Sequence, residues 1–146
     1  MPNVCFNRIK IETEDKALIE KIASEVKTAE TDFDFNKIIP MPESNIDIDW
    51  CSEHWGTKWN AVDPEYLGNG EWYFETPSAP CGGVLEAMSK KYHCTITNIF
   101  HVYNWDTSVN MITYKDGELI AIEEVDDEIA YKIYPGLLED LKALKD

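Results

Sequence analysis

The stretch that decides the fold is Leu67-Gly68-Asn69-Gly70-Glu71-Trp72-Tyr73-Phe74-Glu75. Its first four residues are a turn signal, because glycine and asparagine tolerate the positive φ angles that tight turns require. The five residues that follow have the composition and period of a β-strand. We therefore expect a strand at 71–75 that forms a hairpin with a short strand at 58–62.

The residues before this hairpin predict a strand, a helix and a connector. Residues 4–12 predict a half-buried strand, because Ile9 and Ile11 alternate with Lys10 and Glu12. Thr13 is placed to cap a helix, and apolar residues then recur at helical spacing over about 14–29. We expect an ordered, packed connector at 33–42, where two prolines resist regular structure, and a short helix at 44–54.

The residues after the hairpin predict a second helix–strand unit. Pro77 and Pro80 interrupt the chain, apolar residues at helical spacing then indicate a helix at 82–92, and a strand follows at 94–103. The order of elements is thus βαββαβ. A right-handed split βαβ arrangement, the ferredoxin-like fold, closes that order. We therefore predict an α+β protein with an antiparallel sheet and two helices.

A further hairpin and helix are expected at the C-terminal end. Lys115-Asp116-Gly117 separates the alternating segments 109–114 and 118–125, and an Asp-Gly pair in this position is a strong hairpin signal. An aspartate after the second segment can cap a short helix, and the leucines that follow Pro135 fit a final amphipathic helix.

The length and pattern of the chain indicate one domain. The chain has 146 residues, which is the usual size of a single domain, and no repeat or linker divides it. We assign residues 1–105 to the ferredoxin-like core and 106–146 to a C-terminal extension of a hairpin and a helix.

The charge of the chain restricts the partners that it can bind. It carries 28 acidic and 13 basic residues, a net charge of −15. Proteins that bind nucleic acid gain most of their affinity from Lys and Arg on phosphates, so direct binding of DNA or RNA is not expected. No apolar run reaches the roughly 20 residues that span a bilayer, and residues 1–8 do not read as a secretory signal. We expect a soluble, cytoplasmic monomer or weak dimer whose charged partners are basic proteins.

Three stretches of the chain carry a familiar pattern. They are Met1-Pro2-Asn3-Val4-Cys5-Phe6-Asn7, Phe33-Asp34-Phe35-Asn36-Lys37-Ile38-Ile39-Pro40-Met41-Pro42 and Trp50-Cys51-Ser52-Glu53-His54-Trp55-Gly56-Thr57-Lys58-Trp59-Asn60-Ala61. With the junction Phe74-Glu75-Thr76-Pro77-Ser78-Ala79-Pro80, they resemble the Api92-like or YubB-type ferredoxin-like domains of phages and plasmids. The sequence departs from that pattern at Val4 and at 77–79, where tryptophans are usual. The resemblance implies a ferredoxin-like fold carried by a mobile element, and it brings no established catalytic residues.

An acidic run near the C-terminal end is the candidate partner-binding site. No basic residue occurs from 116 to 131, and the candidate residues are Glu118, Glu123, Glu124, Asp126, Asp127 and Glu128. A solvated surface is the ordinary interpretation of such a run. Rows of carboxylates on a rigid fold can also imitate the phosphates of nucleic acid. Regular alternation along a strand would place Glu118 and Glu124 on one face and Glu123 on the other.

The tryptophans are the candidate ligand groove. Aromatic rings supply large contact areas, and those that could line a groove are Trp50, Trp55, Trp59 and Trp72. Packing in the core is the alternative for all four. We expect Trp59, which is the most firmly part of a sequence motif among the four, to be a core residue.

The cysteines and histidines are a weak candidate for a metal site. Without a secretory signal, we expect all four cysteines to be reduced and buried. Cys51 and His54 are spaced like metal ligands, and Cys81, His93 and Cys94 could complete a tetrahedral zinc site. A structural zinc site usually has two pairs of closely spaced ligands in the sequence, and this chain has only one such pair, Cys51 and His54. We therefore predict no metal and no cofactor.

Two functions of different classes remain. No P-loop, dinucleotide-binding or nucleophile-elbow motif occurs, and no catalytic residue is identified. The leading hypothesis is a non-enzymatic acidic protein of a mobile element that blocks a host nucleic-acid-binding or defence protein, as an anti-CRISPR protein does. The alternative is a small-ligand-binding or metal-dependent enzyme that uses the Cys/His/Trp region at 50–60.

Overall fold

The computed structural model describes residues 3–42, 47–103 and 109–125. Its elements, in chain order, are β1 (Val4–Glu12), α1 (Lys16–Val26), a 3₁₀ helix (Phe35–Lys37), α2 (Ile48–His54), β2 (Val62–Gly68), β3 (Glu71–Pro77), α3 (Gly82–Tyr92), β4 (Thr95–Val102), β5 (Val109–Lys115) and β6 (Glu118–Val125). The predicted C-terminal helix lies outside the described residues. Within those residues, no helix has the length and apolar character needed to cross a bilayer.

The six strands form one antiparallel sheet in the order β2-β3-β1-β4-β5-β6. Strand β1 lies between β3 and β4, so the first four strands have the interleaved order of a split βαβ fold. The predicted ferredoxin-like arrangement is confirmed, with α2 as an additional short helix before β2. The predicted hairpin of β5 and β6 extends the sheet beyond β4.

The first helix begins later than its sequence pattern predicts. Its N-cap is Asp15 and not Thr13, because the Asp15 carboxylate accepts the backbone N–H groups of Ala17 and Leu18 at 3.1 and 3.2 Å. The Thr13 hydroxyl instead accepts the N–H of Asp15 at 3.1 Å. The aspartate therefore satisfies the free donors of the first turn, and Thr13 stabilises the approach to the cap.

The strand predicted at 58–62 is wrong, since β2 runs from Val62 to Gly68. Side-chain hydrogen bonds of Asn60 explain the difference. Asn60 Oδ1 accepts the N–H of Phe35 at 3.0 Å, and its Nδ2 donates to Asp34 Oδ1 at 2.8 Å. These bonds fasten residues near Asn60 to the connector and keep them out of the sheet.

The core lies between one face of the sheet and the helices. The connector contributes to it directly, as predicted, because Phe33 packs against Trp72 and Phe74 with ring centroids 5.6 and 5.4 Å apart. Phe35 is also fully buried. Other buried members of this core are Ile9, Ile11, Ile22, Val26, Val84, Leu85, Met88 and Ile96.

A row of buried polar side chains crosses the three central strands. Asn7 Nδ2 on β1 donates to Thr76 Oγ1 on β3 at 2.9 Å, and Asn98 Nδ2 on β4 donates to Asn7 Oδ1 at 3.0 Å. All three residues are at most 2% exposed. Because a one-residue slip would separate these partners, the row specifies the register of β1 with both of its neighbours.

Candidate functional site

The four tryptophans of the predicted groove lie in different surroundings. Trp72 is fully buried and Trp55 is 2% exposed, so both belong to the core. Trp50 is half-buried, packs edge-on against Trp55 at 5.5 Å and stacks on His54 at 4.4 Å. Trp59 is also half-buried, so the prediction that it is a core residue is wrong.

Trp55 connects α2 to the rest of the molecule. Its indole Nε1 donates to the carbonyl oxygen of Ile39 at 2.9 Å, and its ring meets that of Phe35 at 5.5 Å. Its own carbonyl oxygen accepts the N–H of Gly83 at 3.2 Å, at the start of α3. The stretch 50–61, one of those that carry the family resemblance, therefore has a packing role here, because Trp55 joins α2, the connector and α3.

Trp59 borders a small surface groove at the end of β3. The groove has a volume of about 200 Å³ and is also lined by Val4, Val62, Glu75 and Pro77. It is mostly apolar, with one carboxylate at its side. Pockets for drug-sized ligands usually measure about 300–1,000 Å³, so this groove suits no more than a small group or a single side chain.

Trp72 borders a different and larger cleft between α1 and β2. The cleft has a volume of about 410 Å³, and Lys27, Asp32 and Tyr66 contribute to its walls. The indole Nε1 of Trp72 is buried and has no hydrogen-bond partner among residues 3–42, 47–103 and 109–125. A buried donor without a partner costs free energy.

The cysteines and histidines do not form a metal centre in the described part of the chain. Cys51 is buried, and its Sγ lies 3.7 Å from Met41 Sδ. His54 is exposed, with Nδ1 2.9 Å from the carbonyl oxygen of Trp50. Within the described ranges, no three His, Cys, Asp or Glu side chains come close enough to hold a metal ion. The alternative that relied on Cys51 and His54 as ligands therefore gains no structural support.

The thiols are buried and free, and they are poor nucleophiles. Burial raises the pKa of Cys5 to about 12 and that of Cys94 to about 11. Burial also raises the pKa of Cys81, which lies within the core. All four cysteines are free. Since the thiolate is the reactive form, these groups are protonated and unreactive near neutral pH.

Three residues of the predicted acidic site lie on the exposed strand β6. Glu118, Glu123 and Glu124 are all exposed, and none of them forms a salt bridge with a basic side chain among the residues that the structure describes, although Glu118 lies opposite Lys115 of β5. The other predicted members lie outside the described residues, and they are Asp126, Asp127 and Glu128. The structure thus places half of the predicted site on one strand.

A β-bulge interrupts the pairing of β6 with β5. Thr113 lies opposite Ala121, and the next residue of β5, Tyr114, lies opposite Leu119. Ile120 is therefore an extra residue without an opposite partner. A bulge of this kind reverses the alternation of side chains beyond it.

The bulge changes which carboxylates share a face. Glu118 lies opposite Lys115 and Glu123 lies opposite Met111, and these two partners are on the same face of β5. Glu118 therefore shares a face with Glu123, on the side of the sheet away from the helices. Glu124 lies on the other side, so the prediction from regular alternation, that it shares a face with Glu118, is wrong.

Strand β6 also exposes apolar side chains, which are not among the predicted site residues. Leu119, Ile120 and Ile122 are 48%, 54% and 62% exposed. The signal was present in the sequence, because four apolar residues at 119–122 interrupt the alternation expected of a half-buried strand. Acidic and apolar groups are thus combined on one exposed strand.

Comparison with known proteins identifies the fold. The family model described as the ferredoxin-like domain in Api92-like protein matches residues 54–134. A crystal structure of the protein api92 from Yersinia pseudotuberculosis is similar, with 18% sequence identity and a TM-score of 0.46 over 64% of this chain. This chain spans 39% of the length of that protein. No curated protein matches the chain.

Proposed function

The chain belongs to the family of Api92-like proteins with a ferredoxin-like domain, and we propose that it is a non-enzymatic interaction protein that binds a basic partner through acidic strand β6. Family membership establishes the fold and carries no activity with it, because one fold serves many functions. The proposal therefore rests on the surface of this chain.

The observation that carries the proposal is the set of exposed carboxylates on β6. Glu118, Glu123 and Glu124 give the strand three negative charges and no positive charge. Opposite charge across an interface accelerates encounter and selects partners. The net charge of −15 repels nucleic acid and other acidic proteins, so a basic protein is the partner that this surface favours.

The proposal also concerns where the protein acts and which kind of protein it binds. We infer that the protein acts in the cytoplasm of a bacterial host that carries the phage or plasmid, where its free thiols would stay reduced. Its target would be a host nucleic-acid-binding or defence protein, whose basic site the carboxylates occupy in place of phosphates. Such mimicry needs no catalytic group, in keeping with the unreactive thiols.

Affinity capture from a bacterial lysate tests this function. The tagged chain is compared with a variant that carries Glu118→Gln, Glu123→Gln and Glu124→Gln. A matched control carries Glu14→Gln, Glu30→Gln and Glu53→Gln, three exposed acidic residues away from β6. We expect that the wild-type chain and the control variant capture a basic protein at low salt, and that the β6 variant does not.

The same experiment tests mimicry. Duplex DNA should displace the chain from the captured protein, because it competes for the same basic site. High salt should release the captured protein, because it screens the charges on both partners. Equal loss from both triple variants would show that only net charge matters. Retention by all three proteins at high salt would remove β6 from the binding site.

A second candidate function is the binding of a small polar molecule in the cleft beside Trp72. The cleft is large enough for a small ligand, and Lys27 and Asp32 on its walls could bind groups of opposite charge. Native mass spectrometry of the purified chain would detect a bound small molecule, which the first candidate function does not require. A bound molecule that is lost on Ala23→Trp, which fills the cleft, would support ligand binding.

A further inference from the structure

The two outer strands of the described sheet differ in how well their edges are protected. Strand β2 is protected in several ways: Asp63 has a φ of 47°, Pro64 has no N–H to donate, and the register with β3 shifts twice. The N–H of Tyr66 already donates to Asp32 Oδ2 at 2.9 Å. Prolines, irregular register and occupied donors are the means by which proteins prevent pairing at a sheet edge.

Strand β6 has few of these protections. It contains no proline and no lysine, it pairs with β5 at seven positions, and a bulge at Ile120 is its only irregularity. On its other side, no strand of the described residues pairs with it. Leu119 and Ile122 lie on the helix side of the sheet yet remain largely exposed. Among the described residues, the outer edge of β6 therefore has no strand partner, and it offers backbone groups and apolar contacts to an incoming strand.

The charge of β6 indicates what kind of strand would fit. A second copy of β6 would bring glutamates close to glutamates, and like charges opposite each other destabilise a strand pair. A strand with Lys or Arg on one face would instead meet Glu118 and Glu123, which share a face. Apolar residues on its other face would cover Leu119 and Ile122.

We propose that β6 accepts an extended segment of the basic partner as an additional strand, with its basic side chains on the face of Glu118 and Glu123 and its apolar side chains on the helix side. This inference rests on the proposed function, because it concerns the same surface. It adds that the partner is recognised through backbone hydrogen bonds as well as through charge.

Three synthetic peptides of the length of β6 separate the two contributions. One alternates Lys and Val, the second has the same side chains with every backbone nitrogen methylated, and the third alternates Glu and Val. We expect the full chain to bind the Lys/Val peptide at least about tenfold more tightly than its methylated form, because methylation removes the N–H donors of the ladder hydrogen bonds. The β6 amides that do not donate to β5 should become protected from hydrogen exchange in the Lys/Val complex.

A variant pair locates the binding site. Ile122→Lys should weaken binding of the Lys/Val peptide about tenfold, since it removes an apolar contact and adds a repelling charge to the edge. Leu67→Lys is the matched control, because it adds the same charge to an exposed position on β2. The control should leave the affinity unchanged within about twofold.

Each failure has a separate meaning. Equal binding of the Lys/Val peptide and its methylated form would overturn strand addition and leave the charge-based function standing. If neither basic peptide binds more tightly than the Glu/Val peptide, both strand addition and the charge-based function are overturned. Protection, in the free monomer, of the β6 amides that do not donate to β5 would show that another segment of the chain already covers the edge. Dissociation of a dimer by Ile122→Lys would show that a second copy of the chain occupies the β6 edge. A covered edge and such a dimer would each overturn the proposal.

Discussion

Glu118 and Glu123 lie on the same face of strand β6, although an odd number of positions separates them, because the bulge at Ile120 reverses the alternation between them. Both carboxylates therefore face the same side of the sheet, away from the helices. This arrangement gives an approaching basic partner two negative charges on one face.

Removal of these charges should not destabilise the fold. The variant with Glu118→Gln, Glu123→Gln and Glu124→Gln should have a free energy of unfolding within about 0.5 kcal/mol of wild type, because the three side chains are exposed. Urea denaturation at low salt measures this. A loss of more than about 1 kcal/mol would show that the carboxylates hold the structure together and are not available to a partner.

Two tryptophans should differ clearly in their contribution to stability. Trp55→Ala should cost about 3–5 kcal/mol, because its ring is 2% exposed and its Nε1 is bonded to Ile39. Trp59→Ala should cost distinctly less, since Trp59 is half-buried at the edge of a groove. Urea midpoints of the two variants give the comparison. Equal losses would place Trp59 in the core after all.

Stability should fall at alkaline pH. Burial raises the pKa of Cys5 from 9.0 to about 12, so the unfolded chain loses this proton first as the pH rises. The unfolded state then binds fewer protons than the folded state, and the free energy of unfolding decreases with pH. The contribution of Cys5 is fully present below about pH 9 and declines by about 1.4 kcal/mol per pH unit above it, until the folded thiol also ionises.

The Cys5→Ala variant is the control for this pH dependence. Urea midpoints at about pH 8 and about pH 10.5 should show a smaller decrease for Cys5→Ala than for wild type. Cys94 has its pKa raised to about 11 and Tyr114 to about 12, so part of the decrease should remain. An identical decrease in both proteins would mean that the Cys5 thiol is not buried as described.

The contact between α2 and α3 should tolerate no side chain at Gly83. A Cβ at this position would overlap the carbonyl oxygen of His54, so Gly83→Ala must push the two helices apart. We expect a loss of at least about 3 kcal/mol. Gly68→Ala is the comparison, because its Cβ would meet nothing within 4 Å and only its φ of 88° is unfavourable, at about 1–2 kcal/mol. Similar losses would contradict the close approach.

The order of the strands could be predicted from the sequence because its signals are local. The turn at 69–70 and the Asp-Gly pair at 116–117 lie between runs of strand-forming residues, and the structure has hairpins at both. Details that depend on side-chain hydrogen bonds could not be predicted. The start of β2 depends on Asn60, whose partners Asp34 and Phe35 are 25 or more positions away along the chain.

The candidate site was less predictable than the fold. The exposure of Glu118, Glu123 and Glu124 follows from their charge, but their faces depend on the bulge at Ile120, and periodicity cannot reveal where an extra residue is accommodated. Trp55 and Trp59 have similar sequence surroundings and differ in burial, because only Trp55 lies at the junction of α2 and α3.

The measurement that tests the central claim most directly is hydrogen exchange of the full chain with and without the basic protein that it captures from lysate. We predict that the β6 amides within 118–125 that do not donate to β5 become protected in the complex, while the amides of 62–68 on β2 do not change. Protection around Trp59 or Trp72, with β6 unchanged, would contradict it and would place the binding site at one of the two clefts.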